Sequence, residues 1–325
     1  MQDDQGKHLK CLILCAGLGT RLRPLTDHVP KPLATVFNTP LFDAALRACQ
    51  AAGATDFAVN THHLPGKMSE HAIRAAEANG LASIHVQNEP EILGTGGALI
   101  ALGRWWGEHD LLVYNGDILS EIPLKDLVKR HQASSNLVTM AVRQPPPKDG
   151  GRSVWSNKDG FVRFISKASD LPKDQLGAQL KESGFACAYL ARPALRRYLP
   201  SEIKFFDVIE GFQTALRAGE VIEAIHYSEF WADVGNPLSL WETNLQIANM
   251  PPAQRERIIG RSSRILAEVP ANSIIDKTSV VASSAIIGPE AVVEKSVLLE
   301  GAVVSPGDKL SCVLRGYGFN EKIRP

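Results

Sequence analysis

Residues 14–33 read LCAGLGTRLRPLTDHVPKPL and place a turn of small residues directly after an apolar run, Cys11–Leu14. Gly17, Gly19 and Thr20 allow backbone N–H groups to approach an anion closely. The cations that accompany this turn are Arg21, Arg23 and Lys31. Their charge indicates that the anion is a phosphate group. The turn therefore predicts an anion site at the end of a first strand.

Strand and helix signals alternate along the first half of the chain. The first strand, 10–15, is apolar throughout, as expected of a strand buried on both faces. Regular alternation implies right-handed βαβ units and hence an α/β fold, with a Rossmann-like, mostly parallel sheet flanked by helices. Ligands bind such sheets at the carboxyl ends of strands, where the small-residue turn and Asp117 both fall. The other predicted strands are 56–62, 83–89 and 110–117, and the predicted helices are 41–54, 66–80 and 96–106.

The middle of the chain is less regular. Lys158-Asp159-Gly160 indicates a hairpin between two short strands. A helix is predicted for 207–219, and WADVGNP, 231–237, carries Asp233 at the end of a short strand. Further strands are predicted for 137–144, 184–191 and 221–227.

The pattern changes after Pro251-Pro252. Apolar residues recur every six positions in two adjacent columns, which are Ile275, Val281, Ile287, Val293, Leu299 and Val280, Ile286, Val292, Leu298, Val304. A six-residue period is typical of a parallel β-helix with three short faces per coil, and a pair of ordinary strands is the alternative. We therefore predict two domains, residues 1–250 and a short left-handed β-helix of hexapeptide repeats at 251–325. Roughly two coils are too few to stand alone, so this tail is expected to pack on the first domain or on a partner chain.

The composition narrows the choice of partners. The 325 residues carry 35 cationic and 35 acidic side chains, which argues against a broad nucleic-acid or membrane surface and favours a local anion site. Five cysteines form no CxxC pair and no Cys/His metal spacing, so we expect reduced thiols and no structural zinc. The start, MQDDQGKHLK, lacks the apolar core of a signal peptide. A cytoplasmic protein is expected.

Three phosphate-binding patterns compete for the opening turn. A P-loop requires GxxxxGK[ST], which the sequence lacks. A dinucleotide fold requires GxGxxG, but Leu22 occupies the position of the third glycine. The third pattern fits, because AGLGTRLRPLT followed by PKPL resembles the opening motif of the sugar-1-phosphate nucleotidyltransferases, or nucleotide-sugar pyrophosphorylases. The resemblance continues through GTGGAL at 94–99, NGD at 115–117, WADVGNP at 231–237 and the hexapeptide tail, and so covers most of the chain.

The resemblance implies a reaction and assigns roles to the opening turn. In this family a sugar-1-phosphate oxygen attacks the α-phosphorus of a nucleoside triphosphate and releases pyrophosphate, so catalysis is largely positioning and electrostatic stabilisation. Arg21 is expected to neutralise the leaving pyrophosphate, because a guanidinium bridges two phosphate oxygens. Lys31 is expected beside the α-phosphate and the sugar phosphate, and Arg23 either lends its field without contact or is a solvated surface cation. The backbone that would cradle the triphosphate consists of Ala16, Gly17, Leu18, Gly19 and Thr20.

The resemblance also implies a metal ion. Asp117 and Asp233 match the two acids that jointly hold Mg²⁺ in this family. Magnesium binds few carboxylates together with phosphate and water oxygens, so two aspartates suffice. The structural alternative is that each aspartate caps a turn.

The remaining site residues are assigned to the base and to the sugar. The loop that resembles the nucleobase-accepting segment comprises Gly94, Thr95 and Gly96, with Gln87 as a further candidate. Lys167 matches the lysine of the family's FxEKP segment, although Ser166 replaces the glutamate and Ala168 the proline. Glu182 and Gly184 are expected beside the sugar.

The implied substrates are open. GTGGAL and the tail resemble guanylyltransferases acting on mannose-1-phosphate or a heptose phosphate, which favours GTP. SGFACAY, 183–189, resembles instead the small uridylyltransferases acting on N-acetylmuramate-1-phosphate. A catalytically silent relative that binds nucleotide-sugar and regulates a partner is disfavoured, because the phosphate and metal residues are all present. The open ends of a two-coil tail predict a homo-oligomer.

Overall fold

A computed structural model describes residues 8–144, 151–166 and 180–324. The helices are α1 Leu25–His28, α2 Leu41–Ala51, α3 Pro65–Ala78, α4 Gly94–Ala101, α5 Gly103–Trp106, α6 Leu124–Gln132, α7 Val208–Arg217, α8 Pro237–Asn249 and α9 Pro252–Ile259. The strands before the tail are β1 Leu9–Leu14, β2 Thr35–Val36, β3 Thr39–Pro40, β4 Ala54–Thr61, β5 Ile84–Asn88, β6 Leu111–Asn115, β7 Ile118–Ser120, β8 Val138–Arg143, β9 Ser153–Ser156, β10 Val162–Ser166, β11 Lys181–Ala191, β12 Ile222–Tyr227 and β13 Trp231–Asp233. The strands of the tail are β14 Ile274–Ile275, β15 Val280–Val281, β16 Ile286–Ile287, β17 Val292–Glu294, β18 Val297–Leu298, β19 Val303–Val304, β20 Lys309–Ser311, β21 Val313–Gly316 and β22 Phe319–Lys322.

The central sheet is mostly parallel. Its strand order is β10-β9-β11-β6-β1-β4-β5, and β8 and β12 extend it from β11. The β4, β5 and β6 strands run parallel to β1 or to each other, and β12 runs parallel to β8. Only the ladders of β11 and of the β9–β10 hairpin are antiparallel among the described pairs of this sheet. The mixed α/β fold predicted from the alternation is therefore confirmed.

Both faces of the sheet are buried, as the apolar run of β1 predicts. Cys11 and Ile13 belong to one hydrophobic cluster, together with residues of α2, α3 and α6, whereas Leu12 belongs to a second cluster with residues of α4 and α7. Successive side chains of a strand point to opposite faces. The helices therefore cover the sheet on both sides, and β1 is an internal strand between β4 and β6.

A short two-stranded ribbon lies beside the carboxyl ends of β1 and β6. β13 pairs antiparallel with β7, and this register sets Asp233 opposite Ile118, the residue that follows Asp117. The Val234 N–H donates to the Asp117 carbonyl at 3.3 Å. Two acids far apart in sequence are thereby brought to one edge of the fold.

The tail forms short parallel ladders and packs on the first domain. β14, β17 and β20 form one ladder, β15, β18 and β21 a second, and β16 with β19 a third. A shared hydrophobic cluster joins Val280, Leu299 and Leu314 of the tail to Leu22 and Leu25 beside the opening turn. The tail therefore packs on this chain beside the opening turn, which is one of the two alternatives expected.

One helix differs from the sequence prediction. The single helix predicted for 96–106 is divided into α4 and α5, with Leu102 between them and Gly103, a poor helix former, at the start of the second.

None of the helices described combines the length and the apolar content that crossing a bilayer would require.

Candidate active site

A cleft of about 620 Å³ opens where β1 and β6 end. Leu14 and Asn115, the last residues of these two strands, line it. This is the edge at which parallel α/β sheets bind ligands. Of the residues selected from the sequence, Arg21, Thr95, Gly184 and Asp233 also line the cleft.

Lys31 joins the two aspartates of the predicted metal site. Its ammonium donates to Asp117 Oδ2 at 2.6 Å and to Asp233 Oδ1 at 3.4 Å. Lys31 is buried, 7% exposed, whereas the Asp117 and Asp233 side chains are 28% and 43% exposed. A buried ammonium requires charged partners, and these two carboxylates supply them while remaining partly exposed.

Gly235 leaves room for Arg21 beside this cluster. A Cβ at position 235 would lie 3.2 Å from Arg21 Nη2 and 3.3 Å from Asp233 Oδ1. The Arg21 guanidinium and the Asp233 carboxylate therefore both lie against the bare backbone of Gly235. Arg23, in contrast, points away from this arrangement and forms an exposed ion pair with Asp27 at 3.1 Å.

The opening turn is held in place by Thr26 and His63. Gly19 has φ +64°, and a Cβ there would lie 2.7 Å from Thr26 Cγ2 and 3.1 Å from Lys31 Cβ. Thr26 Oγ1 donates to the Gly19 carbonyl at 2.9 Å, and His63 Nε2 lies 2.5 Å from the Thr26 carbonyl. Only glycine satisfies both the backbone angle and the close approach. Within the turn Ala16 is buried, and Gly17, Leu18 and Thr20 are exposed.

Asn60 and Glu89 connect the end of β1 to the loop before α4. Asn60 accepts from the Cys15 N–H at 2.8 Å and donates to Glu89 Oε1 at 2.8 Å. Glu89 is 1% exposed, and its Oε2 accepts from the Leu93 N–H at 3.0 Å. Since a buried carboxylate is tolerated only with such partners, Glu89 fixes the two loops relative to each other. Gln87, the neighbouring candidate on β5, is half-buried and its amide donates to the Asn88 carbonyl at 3.4 Å.

The glycine-rich loop at the start of α4 packs on backbone. The N–H groups of Gly96 and Gly97 donate to the Phe206 carbonyl at 2.8 and 3.1 Å. A Cβ on Gly94 would lie 2.8 Å from the same oxygen. Thr95 donates its hydroxyl to Asp207 Oδ1 at 3.3 Å. These contacts explain the small residues by packing, and the base-binding role of Gly94, Thr95 and Gly96 stays a prediction.

The predicted sugar side is formed by β11. Gly184 lies opposite Arg143 of β8 and opposite Ser153 of β9 in the two ladders of β11. Glu182 accepts a hydrogen bond from the Ser153 hydroxyl at 2.6 Å. Ser166, which replaces the family's glutamate, is 4% exposed. Lys167 lies outside the described residues.

An irregularity in β11 directs Cys187 toward the cleft. The register of β11 against β8 shifts between Phe185 and Tyr189, and Cys187 has φ +60°. Bulges of this kind are common beside active sites. Burial raises the pKa of the Cys187 thiol, the charges of Asp117 and Asp233 raise it further, and Lys31 and Arg143 oppose the shift. The thiol is therefore neutral near pH 7 and lies within electrostatic reach of the aspartate cluster.

Two arginine pairs on the cleft wall were missed by the sequence reasoning. Arg143 stacks its guanidinium on Trp231, 4.1 Å from the ring centroid. Arg152 forms an ion pair with Asp207, whose Oδ1 also caps α7 by accepting from the Ile209 N–H at 3.1 Å. Each pair joins residues that are distant in sequence, and only Trp231 belongs to a motif used above, WADVGNP.

The chain is an α/β protein whose mostly parallel sheet carries a cleft at its strand ends. Arg21 and Asp233 line this cleft, and the Lys31 ammonium joins Asp233 to Asp117. The chain belongs to the nucleotidyl transferase family, whose model matches residues 10–250.

Similar sequences have names that are consistent with membership of this family. The mannose-1-phosphate guanyltransferase of Schizosaccharomyces pombe is 29% identical over 282 residues, which cover 84% of this chain and 73% of the relative. The mannose-1-phosphate guanylyltransferase catalytic subunit beta of Danio rerio is 30% identical over 237 residues, covering 70% of this chain and 62% of the relative. The mannose-1-phosphate guanyltransferase of Hypocrea jecorina is 29% identical over 233 residues, covering 70% and 61%. The chain spans about three fifths of the length of the last two relatives.

A solved structure supports the fold. A protein of Bacillus anthracis, provisionally named a glucose-1-phosphate thymidylyltransferase and crystallised with a sucrose, superposes with a TM-score of 0.64. The match covers 75% of this chain and 96% of that chain at 20% identity.

Proposed function

We propose that the protein transfers a guanylyl group from GTP to mannose-1-phosphate or a related sugar-1-phosphate, forming an NDP-sugar and pyrophosphate. The observation that carries this proposal is the buried Lys31 ammonium, which contacts Asp117 and also Asp233, a residue that lines the cleft together with Arg21. The names of the relatives support the choice of GTP and mannose-1-phosphate.

The proposed mechanism assigns phosphate binding to the opening turn. The exposed backbone from Gly17 to Thr20 cradles the triphosphate, and Arg21 binds the pyrophosphate as negative charge develops on it. An oxygen of the sugar phosphate attacks the α-phosphorus, and the bond from that phosphorus to the pyrophosphate oxygen breaks. Lys31 holds the attacking and transferred phosphates together, because its ammonium lies at the centre of the cluster.

Asp117 and Asp233 fit a magnesium site. Each presents a partly exposed carboxylate to the same ammonium. Mg²⁺ typically binds one or two carboxylates and completes its shell with phosphate and water oxygens. Such an ion would neutralise phosphate charge during transfer. Within the described residues no group of three or more His, Cys, Asp or Glu side chains is placed to hold a metal ion.

The sugar is assigned to the β11 side of the cleft. Gly184 lines the cleft and lies opposite Arg143 and Ser153, which places the predicted sugar glycine among polar neighbours. Glu182 and Lys167 are further proposed sugar-phosphate ligands, Lys167 only on its match to the family's FxEKP segment. Thr95, Gly94, Gly96 and Gln87 are proposed for the nucleobase.

The tail is proposed to be the short left-handed β-helix expected from its six-residue period. Support comes from its three short parallel ladders, in which Ile286 pairs with Val303 and Val280 with Val297. We further propose that its open faces join subunits of a homo-oligomer in the cytoplasm. A monomer in solution scattering contradicts this assembly.

The reaction is tested by pyrophosphate release in the presence of Mg²⁺. GTP, UTP, dTTP, ATP and CTP are each combined with mannose-, glucose-, N-acetylglucosamine- and N-acetylmuramate-1-phosphate. We expect release to be greatest with GTP and mannose-1-phosphate and to be lost in the Asp117→Ala variant. Greatest release with UTP and N-acetylmuramate-1-phosphate would contradict the proposed substrate pair but support the proposed type of reaction. No release from any pair, with nucleotide-sugar still bound, refutes the enzyme in favour of a silent regulatory relative.

A further inference from the structure

Arg143 is a cation of the cleft that the proposed mechanism does not use. It ends β8, lines the cleft and is half-buried. Its guanidinium stacks on Trp231 at 4.1 Å from the ring centroid, so the planar group is fixed by an aromatic surface. A fixed guanidinium retains its five N–H donors in a rigid fork.

The charge of Arg143 has no anionic partner among the described residues. Burial lowers the pKa of its guanidinium, and the Cys187 thiol alone opposes this shift. That thiol is itself neutral near pH 7, because burial raises its own pKa. Arg152, on the same cleft wall, is by contrast neutralised by Asp207. An arginine that is partly desolvated and uncompensated binds an anion favourably.

The position of Arg143 links it to the sugar side of the site. In the β8–β11 ladder it lies directly opposite Gly184, the residue assigned to the sugar. Trp231 and Asp233 are two residues apart on β13 and both line the cleft, so the stacked pair lies near the aspartate cluster. Cys187 responds electrostatically to Arg143 as well as to Asp117, Asp233 and Lys31.

We infer that Arg143 binds an oxyanion of the sugar substrate in this cleft. The inference rests on the proposed function for the identity of that substrate. The oxyanion is either the phosphate on the sugar's anomeric carbon or a carboxylate carried elsewhere on the sugar. A guanidinium forms paired hydrogen bonds with both groups.

The test compares Arg143→Gln and Arg143→Lys with the unsubstituted protein. Arg163→Gln is the matched control, because Arg163 is an exposed arginine of β10 that lines a different, smaller depression. Isothermal titration calorimetry measures the affinities for mannose-1-phosphate, N-acetylglucosamine-1-phosphate and N-acetylmuramate-1-phosphate. The two N-acetylated sugars differ by the lactyl group, which carries a carboxylate. Each titration is run with and without α,β-methylene-GTP and α,β-methylene-UTP, which cannot be cleaved at the reacting bond.

We expect Arg143→Gln to weaken binding by about 10- to 100-fold, the usual effect of losing hydrogen bonds to a charged group. The affinity of Arg143→Lys should lie between those of Arg143→Gln and the unsubstituted protein, since lysine keeps the charge and loses the guanidinium's paired donors. Arg163→Gln should bind as the unsubstituted protein does. An equal loss for all three sugars identifies the anomeric phosphate, and a loss confined to N-acetylmuramate-1-phosphate identifies the carboxylate.

Unchanged affinity of Arg143→Gln for every probe overturns the inference, as does a complete lack of binding by the unsubstituted protein. Binding is measured without turnover. A protein that binds sugar phosphate through Arg143 but releases no pyrophosphate therefore contradicts the proposed function and not this inference.

Discussion

Replacing Lys31 with methionine probes the centre of the site. The substitution keeps an unbranched side chain of similar length but removes the ammonium that contacts Asp117 at 2.6 Å and Asp233 at 3.4 Å. The first contact is a charged hydrogen bond from a buried donor, worth about 1.5–3 kcal/mol. The second is longer and involves a carboxylate that is 43% exposed, so it contributes roughly 0.5 kcal/mol after solvent screening. We expect a loss of about 2–3.5 kcal/mol in the free energy of unfolding.

Magnesium should partly reverse this loss. Without the ammonium, Asp117 and Asp233 have no described cation within ion-pair distance and repel each other. A divalent cation that binds the folded state then stabilises the variant more than the unsubstituted protein. Turnover should nevertheless fall by about 10- to 100-fold or more, because the phosphates lose a charged donor.

Thermal unfolding over a Mg²⁺ titration, together with pyrophosphate release, measures both effects. Lys129→Met on α6 is the control, since Lys129 is exposed and lies outside the cleft. Equal Mg²⁺ stabilisation of variant and unsubstituted protein would refute the two-aspartate metal site. Undiminished turnover of Lys31→Met would remove Lys31 from the mechanism.

Three further substitutions test separate parts of the account. Arg21→Lys should lower kcat/KM by about 10- to 100-fold, because it loses the bidentate contact with pyrophosphate. Arg23→Ala should leave kcat/KM within about twofold, because Arg23 is exposed and paired with Asp27. Equal losses of kcat/KM for the two variants would contradict the role assigned to Arg21. Gly19→Ala should lower the free energy of unfolding by roughly 1–3 kcal/mol in denaturant titrations, because Gly19 has φ +64° and the added Cβ would contact Thr26. Gly17→Ala should leave the free energy of unfolding unchanged, because no atom lies within 4 Å of the added Cβ. Asp276→Asn should destabilise the protein at pH 7 and much less at pH 3. Burial raises the pKa of Asp276, but hydrogen bonds from Ser279, Thr278 and the Lys295 N–H outweigh burial and lower the pKa overall. The stabilisation from Asp276 is therefore present above an unfolded pKa of about 3.9 and is lost as pH falls through the folded pKa. An equal loss of stability at both pH values in thermal unfolding would contradict this expectation.

The part of the site that local pattern encodes was predictable. Gly19, Arg21 and Lys31 belong to one short segment, and Asp117 and Asp233 stand at strand ends, so their types and positions could be read directly. Their mutual contact could not, because Lys31 lies 86 residues from Asp117 and 202 from Asp233. Only the register of β7 against β13 brings the two acids together.

Tertiary pairing determined the features that the sequence did not indicate. Arg143 lies outside every motif, and Trp231 belongs to one without an assigned role, until β8 and β13 place the guanidinium on the ring. The glycines of 94–97 resemble a ligand-binding loop, yet Gly96 and Gly97 donate to the Phe206 carbonyl, more than 100 residues away in the chain. The ladders of the tail follow its six-residue period because that pattern repeats locally.

Nucleotidyl transfer is tested by following the α-phosphate of GTP. GTP labelled at this phosphate is incubated with mannose-1-phosphate, Mg²⁺ and the protein, and the products are separated. We expect the label to enter GDP-mannose in equal amount to the unlabelled pyrophosphate released, and Asp117→Ala and Lys31→Met to abolish or sharply reduce both. Label recovered in free GMP or GDP, with no nucleotide-sugar formed, would contradict nucleotidyl transfer to a sugar phosphate.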